Sequence, residues 1–481
     1  MRNSFRKTIP AWMCIFVVFC LSCKKKPVAT APAELPGVVA KISDYVITKD
    51  ELEKRLLQEL RPDRYEDVRL DEPPDIEKVL IEMVAEKAMI MDARKKGYDQ
   101  DEMIRGSVQR YKNRRLMNML LQMQLSDKLV VTEAEVDEKL KANPKLERTR
   151  AEALVKREKS NKLFNEFYSQ LLEKFHVQKV NENFAKVAEI HQRLLQKPKE
   201  PRKVSWIRNS QIKNELTEEE KNIVLARYDK GEVTLKDWFE ALGEIAPPSR
   251  PKNLHTTNGV ERMLDRAMRK PILLAEALSL GLDKDEELIK QVKEQEDSRL
   301  QHKAEREKVK DIEEPTDEQI IEYFNNNKEV FGGSEALKVD QIWCNDLATI
   351  QKAKAELDSG KDFDQVKQDY SLRKESKTMN IYPGGEGIFW KDLSKGEPND
   401  IIGPIKGFYG DGIKWRIVSI LERRPAQPRE YSEGMKGNVE TGMMNEQRQA
   451  ILAKYREELL KEYSYEIYTE RIKEIDPLDI P

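Results

Sequence analysis

The residue types that most often carry chemistry are few and scattered along this chain of 481 residues. Its four histidines are His176, His191, His255 and His302, and none sits in a Ser-His-Asp set; no phosphate-binding loop or dinucleotide fingerprint is present either. His176 and His191 are too far apart, with no cysteine beside them, to suggest a zinc site. The stretch "GYDQDE" at 97–102 lacks calcium-loop spacing. A glycine that stops one helix and an aspartate that caps the next is the simpler reading there. No cofactor and no metal are expected. What remains is apolar and aromatic. Trp238, Trp343, Trp390 and Trp415 could line a peptide groove, although a buried core is the ordinary place for them. Met83, Met89, Met91, Met103, Met117, Met119 and Met123 give the first half a flexible, polarizable surface suited to promiscuous binding; helix-core filling is the ordinary alternative.

The bulk numbers set the frame. Charged residues make up 36% and the net charge is −2, which argues for solvated helices and against a dedicated nucleic-acid binder. The charge run at 293–314 reads as a solvated helix face with i,i+4 pairs. The length implies two to four domains.

The N-terminus reads as an export signal over 1–22. Arg2, Arg6 and Lys7 precede the apolar run "AWMCIFVVFCL", which is too short to span a bilayer. It ends in "LSCKKKP", which resembles a bacterial lipoprotein signal with Cys23 as the lipidated first residue of the mature chain. Cys20 stands where that pattern has an aliphatic residue, and a plain secretory signal is the alternative. Residues 23–37, rich in Pro and Ala, would form a tether. Lys24 rather than Asp after the cysteine resembles the sorting pattern for the outer membrane. The expected location is thus exported and lipid-anchored, on the periplasmic face of that membrane. Only Cys344 would remain as a free thiol, so no internal disulfide is expected.

Internal repeats decide the architecture. "VVAKISDYVITKDELEKRL" at 38–56 matches "VLARYDKGEVTLKDWFEAL" at 224–242, with Thr48 and Thr234 as helix N-caps at an offset of 186. Gly97 matches Gly281, and Thr132 matches Thr316, each at an offset of 184. Gly97 and Gly281 end helices, with Asp99 and Asp283 expected to cap the next ones. "VQKVNENF" at 177–184 matches "YEIYTERI" at 465–472 at an offset of 288, so the second copy carries an insertion of 104 residues. Each module is expected to run from a β-hairpin through several helices to a closing helix (161–175 and 445–463) and a last strand, and to close on itself. The expected domains are a first helical module at 38–215, a second at 216–330 and 431–481, and an inserted domain at 331–430. The fold class is mainly α with small β elements.

The insertion reads β-α-α-β-β. It opens on "KVDQIWC" (338–344), a short buried strand with Gln341 in its middle, and "YPGGEGIFW" is expected to be a Gly turn into an aromatic strand. Its order of motifs resembles a parvulin-type prolyl isomerase domain of the SurA, PrsA and PpiC family of exported foldases. "KVDQIWC" stands where that family has Ser-His-Ile-Leu. "GGEGIFW" stands for Gly-Gly-Asp-Leu-Gly-Phe-Phe, "KGEPNDIIGPIKG" for Lys-Gly-Glu-x-Ser-x-Pro-Val, and "RIVSILERRPA" for the last strand. The modules outside the insertion resemble the SurA/PrsA chaperone module. The resemblance implies a pocket with two histidines facing each other across the sheet, and here those positions are Gln341 and Arg416. The proline-gripping helix of the family is absent between "GIFW" and "KGEP". Uncatalysed X-Pro isomerisation crosses about 18–20 kcal/mol, and lowering that barrier needs an apolar slot that holds and desolvates the imide. No catalytic residue is assigned with Gln341 and Arg416 in place. Trp343, Phe389 and Trp390 are the peptide-binding candidates.

The resemblance implies a chaperone that holds unfolded or partly folded exported proteins. Its partners would be those clients and the membrane through the lipid, not nucleic acid. An active isomerase and a structural subunit of an envelope assembly complex are the alternatives.

Overall fold

The computed structural model describes residues 36–62, 72–198, 206–375 and 377–480. The expected signal, Cys23 and most of the tether lie outside the described residues. No described helix is long and apolar enough to cross a membrane.

Local chemistry sets the first elements. Strands β1 (Val38–Ile42) and β2 (Tyr45–Thr48) form a hairpin, and α1 (Lys49–Leu60) follows at once. Thr48 starts the helix through a capping box: Glu51 N–H donates to the Thr48 hydroxyl at 3.2 Å, and Thr48 N–H donates to the Glu51 carboxylate at 2.8 Å. Then come α2 (Ile76–Lys95), α3 (Glu102–Leu125), α4 (Glu133–Ala142) and α5 (Arg148–Lys174), ending in the two-residue β3 (Gln178–Lys179). Helices α6 (Phe184–Gln196), α7 (Asn209–Glu215) and α8 (Glu218–Lys221) lead to the second hairpin, β4 (Val224–Tyr228) and β5 (Gly231–Thr234).

The pattern then recurs. Thr234 and Asp237 form the capping box of α9 (Leu235–Gly243). Helices α10 (Thr257–Ala267), α11 (Arg269–Ser279), α12 (Glu286–Val309), α13 (Asp317–Asn326) and α14 (Lys328–Phe331) lead to the insertion. Beyond it, α18 (Lys436–Glu462) and β10 (Tyr465–Ile467) close the chain. Both ends of α12 lie 184 residues after those of α3, and both ends of α18 lie 288 after those of α5. Gly97 and Gly281 hold φ of 74° and 71°, the left-handed turn that ends a helix and favours glycine. The caps of α3 and α12 are Asp101 and Asp285, which accept from Met103 N–H and Leu288 N–H at 2.8 Å. The expected caps Asp99 and Asp283 sit inside one-turn 3₁₀ segments that separate glycine from cap.

Closure differs from expectation. β1 pairs with β10, and β4 pairs with β3, giving sheets ordered β10-β1-β2 and β3-β4-β5. Each hairpin thus takes its third strand from the other half of the chain, which corrects the expectation that each module closes on itself. The registers are equivalent: Ala40 faces Ile467 and Ala226 faces Lys179, again at offsets of 186 and 288. The compact units cut across the expected modules. One comprises the residues up to Lys96 with Gln301–Pro481, the other Gly97–Leu300.

Within the second unit the core runs from Leu116 and Leu120 of α3 through Phe184, Val187 and Leu194 of α6 to Trp238, Phe239, Val260 and Leu264. Trp238 is fully buried, and its indole N–H donates to Val260 C=O at 3.0 Å, so the large ring leaves no orphan donor. Within the first unit, α2 packs on α18 and on β1, burying Leu80, Val84, Ala88, Met89, Tyr455 and Leu459.

The insertion is a four-stranded sheet with the order β7-β6-β9-β8. It comprises β6 (Ala336–Cys344), α15 (Leu347–Asp358), α16 (Phe363–Tyr370), β7 (Met379–Ile381), α17 (Pro383–Glu386), β8 (Ile401–Tyr409) and β9 (Gly412–Arg424). The expected aromatic strand "GIFW" is instead a 3₁₀ segment, Gly387–Asp392. Gly387 at φ 55° turns the chain there, and the rings that follow bury toward two different cores.

Candidate functional site

β6 is buried along nearly its whole length because both faces of the sheet are covered. On one face Ile342 and Cys344 pack with Ile350, Ala353 and Val366 of α15 and α16. On the other, Leu337 and Val339 pack with Trp390, Leu393, Val418 and Ile420. Alternation places Gln341 and Trp343 on this second face. β9 runs antiparallel beside β6, and Trp343 stands directly opposite Arg416.

The two positions singled out from sequence do meet. Arg416 Nη1 donates to Gln341 Oε1 at 3.4 Å. Arg416 is 1% exposed, and its guanidinium lies 5.1 Å from the centre of the Trp343 ring. Its counter-charge is Glu386, with Nη2 to Oε2 at 2.7 Å. That contact has the distance of an ion pair but not the angle of a hydrogen bond, because Nη2 and Nε have no hydrogen-bond partner among the described residues. The pair is held by charge, with the guanidinium within cation–π distance of the indole. Gly407 of β8 makes the space: a Cβ there would lie 2.5 Å from Arg416 Nε and 2.7 Å from the Trp343 ring.

Sequence reasoning missed Glu386, Gly407 and a second buried pair. Glu386 arrives on the short α17, between Gly385 and the left-handed Gly387. On the helix-covered face, Lys367 of α16 pairs with Asp340 of β6; the two are 2% and 7% exposed. Asp340 Oδ1 also accepts from Gln341 N–H at 2.8 Å. The only sequence signal was "DQ" in an otherwise apolar strand. Removing one partner of such a buried pair strands the other and costs about 3–5 kcal/mol.

The peptide-binding candidates are core side chains in this structure. Trp343 is 8% exposed, Trp390 8% and Phe389 3%. Trp390 belongs to the core over β6 and β9, while Phe389 packs with Leu60 of α1, Ile388, Phe408 and Leu478. Trp343 also meets Tyr409, ring centres 5.1 Å apart. Cys344 donates to Tyr370 C=O at 3.5 Å, and burial, with Asp346 nearby, pushes its thiol up to about 11. It is therefore an inert core thiol. The other histidines are not drawn into this sheet. His191 is buried in the second unit against Trp238 and Phe239, and His176 pairs with Asp229 at 2.8 Å.

A separate cavity of about 280 Å³ lies in the second unit between α3, α5 and α11. Leu125, Leu163, Phe167 and Leu171 give it one apolar wall, and the rest is polar: Gln124, Lys128, Glu166, Gln170 and the ion pair of Lys174 with Glu276. Of the seven methionines singled out from the sequence of the first half, Met103 and Met123 are exposed, Met89 is fully buried, and Met117 and Met119 are partly buried against the core.

No family model matches the chain, and no curated protein does. Among solved structures it is similar to a chain from the work on PEB4 and Cj1289, two SurA-like chaperones of Campylobacter jejuni, at 12% identity over 49% of this chain and 95% of that one, with a TM-score of 0.24. It is also similar to the peptidylprolyl isomerase PrsA of Bacillus anthracis, at 14% identity over 47% of this chain and 93% of that one, with a TM-score of 0.22. PrsA of Bacillus subtilis is similar at 16% identity over 53% of this chain and 97% of that one, with a TM-score of 0.17.

Proposed function

We propose that this protein is an exported chaperone of the SurA/PrsA type, lipid-anchored through Cys23, that holds unfolded proteins passively. In this reading its two helical modules are copies of one another, and its parvulin-like domain has lost isomerase activity. The observation that carries the holding role is the cavity in the second unit. At about 280 Å³ it is at the low end of ligand-pocket sizes. It therefore suits a side chain or two of a passing chain rather than a folded domain. Its apolar wall of Leu125, Leu163, Phe167 and Leu171 can meet a hydrophobic side chain. The amides of Gln124 and Gln170 offer both a donor and an acceptor to whatever backbone comes with it. Such contacts are weak singly and broad in specificity.

The loss of activity rests on the sheet of the insertion. Where the family resemblance implies two histidines beside an open slot, Arg416, Glu386, Gln341 and Trp343 fill the space with a buried ion pair and an indole. A proline ring has no apolar slot to enter without breaking that pair.

The test is the cis–trans exchange rate of a Pro-containing peptide by NMR with the chain added, run beside an aggregation assay on a denatured client. No acceleration, with suppressed aggregation, is the expected result. Acceleration that Phe389→Ala abolishes would make the protein an active isomerase. A single stoichiometric partner in a pull-down, with no protection of generic clients, would make it an assembly subunit.

A further inference from the structure

Two hairpins and two closing arms allow two pairings. The hairpin and α1–α2 of the first half form one slot, and the hairpin and α9–α11 of the second half form the other. Arm α5–β3 and arm α18–β10 have helices of equal length, 27 residues each, and strands of equivalent register. Backbone hydrogen bonding alone therefore does not choose between closure within each half and the crossed closure observed.

The side chains do distinguish them. Near the end of α18, Glu462 meets Lys95 of α2 at 2.8 Å, and the Tyr455 hydroxyl donates to the buried Asp92. The positions equivalent to Glu462 and Tyr455 on α5, 288 residues earlier, are Lys174 and Phe167. The position equivalent to Asp92 on α11, 184 residues later, is Glu276. There Lys174 meets Glu276 at 2.6 Å. The arm that docks on the lysine-bearing helix end thus carries a carboxylate, and the arm that docks on the glutamate carries an ammonium.

We infer that this charge reversal specifies the crossed closure: each slot recognises the arm of the other half and rejects its own. Closure within the second half would set Glu462 against Glu276, a carboxylate only 5% exposed, and take away its lysine. Closure within the first half would set Lys174 beside Lys95 and Lys96. Asp92 relieves this only in part, since its one carboxylate, held by Lys96 at 2.6 Å, would then face three ammonium groups. Phe167 would also bring no hydroxyl to Asp92, which is 7% exposed. Both effects have the same sign. One consequence follows for biogenesis: the first hairpin lacks its third strand until Ile467 has been made.

Occupancy of the first slot can be read directly. Lys41 stands opposite Glu466, and Gln178 is the residue that the other arm would place there. Full-length chain carrying Lys41→Cys with Glu466→Cys and Gln178→Cys is refolded in detergent and oxidised, and the linked peptides are identified by mass spectrometry. The natural charges should give the 41–466 link. Reversal with Lys95→Glu, Lys96→Glu and Glu276→Lys should shift the ratio toward 41–178 by roughly tenfold or more. An unchanged ratio would overturn the inference and assign the choice to apolar packing. A second variant guards against simple misfolding. Glu276→Lys with Lys174→Glu keeps opposite charges in the crossed pairing, so it should fold, but it makes both arms acidic and both slots basic, so the preference for the 41–466 link over 41–178 should fall; an undiminished preference would also overturn the inference.

Discussion

The two units build the same hairpin-and-arm arrangement around different interiors. In the second, α9 presents Trp238 and Phe239, and these rings pack with His191 of α6 into an aromatic cluster. In the first, the equivalent positions are Leu52 and Glu53: the leucine is fully buried, and the half-buried glutamate faces Lys49 at 3.6 Å. The hairpins and capping boxes are alike, so the backbone plan does not depend on what fills the interior. The difference shows that element order and core chemistry are separable.

That contrast can be tested by breaking each interior in turn. Trp238→Ala should cost the most, about 3–5 kcal/mol, by loss of buried area and a cavity that cannot collapse. It should appear in urea unfolding and as lost amide protection within 97–300. Leu52→Ala should cost about 2–5 kcal/mol, with protection lost in the residues before Lys96. If both substitutions unprotected the same peptides, the two interiors would not be separate.

Acid should act on the aromatic interior. Burial, with His255 and Arg250 adding positive field, lowers His191 from its usual 6.5 to about 4. The folded form thus resists a proton that the unfolded chain accepts. The stability of the second unit is complete above pH 6.5 and falls as pH drops from 6.5 to about 4. At about 1.4 kcal/mol per pH unit, the loss approaches roughly 3 kcal/mol. His191→Phe should flatten that slope, as followed by Trp238 fluorescence against pH. An unchanged slope would place the acid sensitivity elsewhere.

Smaller effects sharpen the comparison between the arms. Tyr455→Phe should cost about 1–2 kcal/mol, because the buried Asp92 loses one of its donors. The reverse change in the other arm, Phe167→Tyr, should change stability little, because the carboxylate nearby, Glu276, already has Lys174 and Ser279 as partners. The capping threonines should respond alike: Thr48→Ala and Thr234→Ala should each cost about 1 kcal/mol, by thermal melting. A large inequality between them would mean that the hairpin–helix joints are not equivalent.

Much of this was legible in sequence because the signals are local. A threonine with an acid three residues on announces its helix start, and a glycine in a left-handed turn announces a stop; neither needs a distant partner. The resemblance named Gln341 and Arg416 as one pair of positions, and their side chains do meet, although the strand register sets Arg416 opposite Trp343 and Gln341 opposite Val418. The aspartate caps stand two residues beyond the positions the sequence suggests because a single 3₁₀ turn intervenes between glycine and cap. The segment "GIFW" has the composition of a strand, but Gly387 turns it and two different cores compete for its rings.

The sequence by itself determined the mainly helical class with small β elements and the recurrence of helix caps and stops at fixed offsets. The tertiary structure alone decided which arm closes which hairpin, that Glu386 comes to Arg416, and that Trp343, Phe389 and Trp390 are buried rather than displayed. The physical reason is range. Periodicity, caps and turns are settled within a few residues of backbone, whereas the third strand and the counter-ion are chosen among chemically similar candidates far apart in the chain. That choice is made by burial and charge only once the chain has folded.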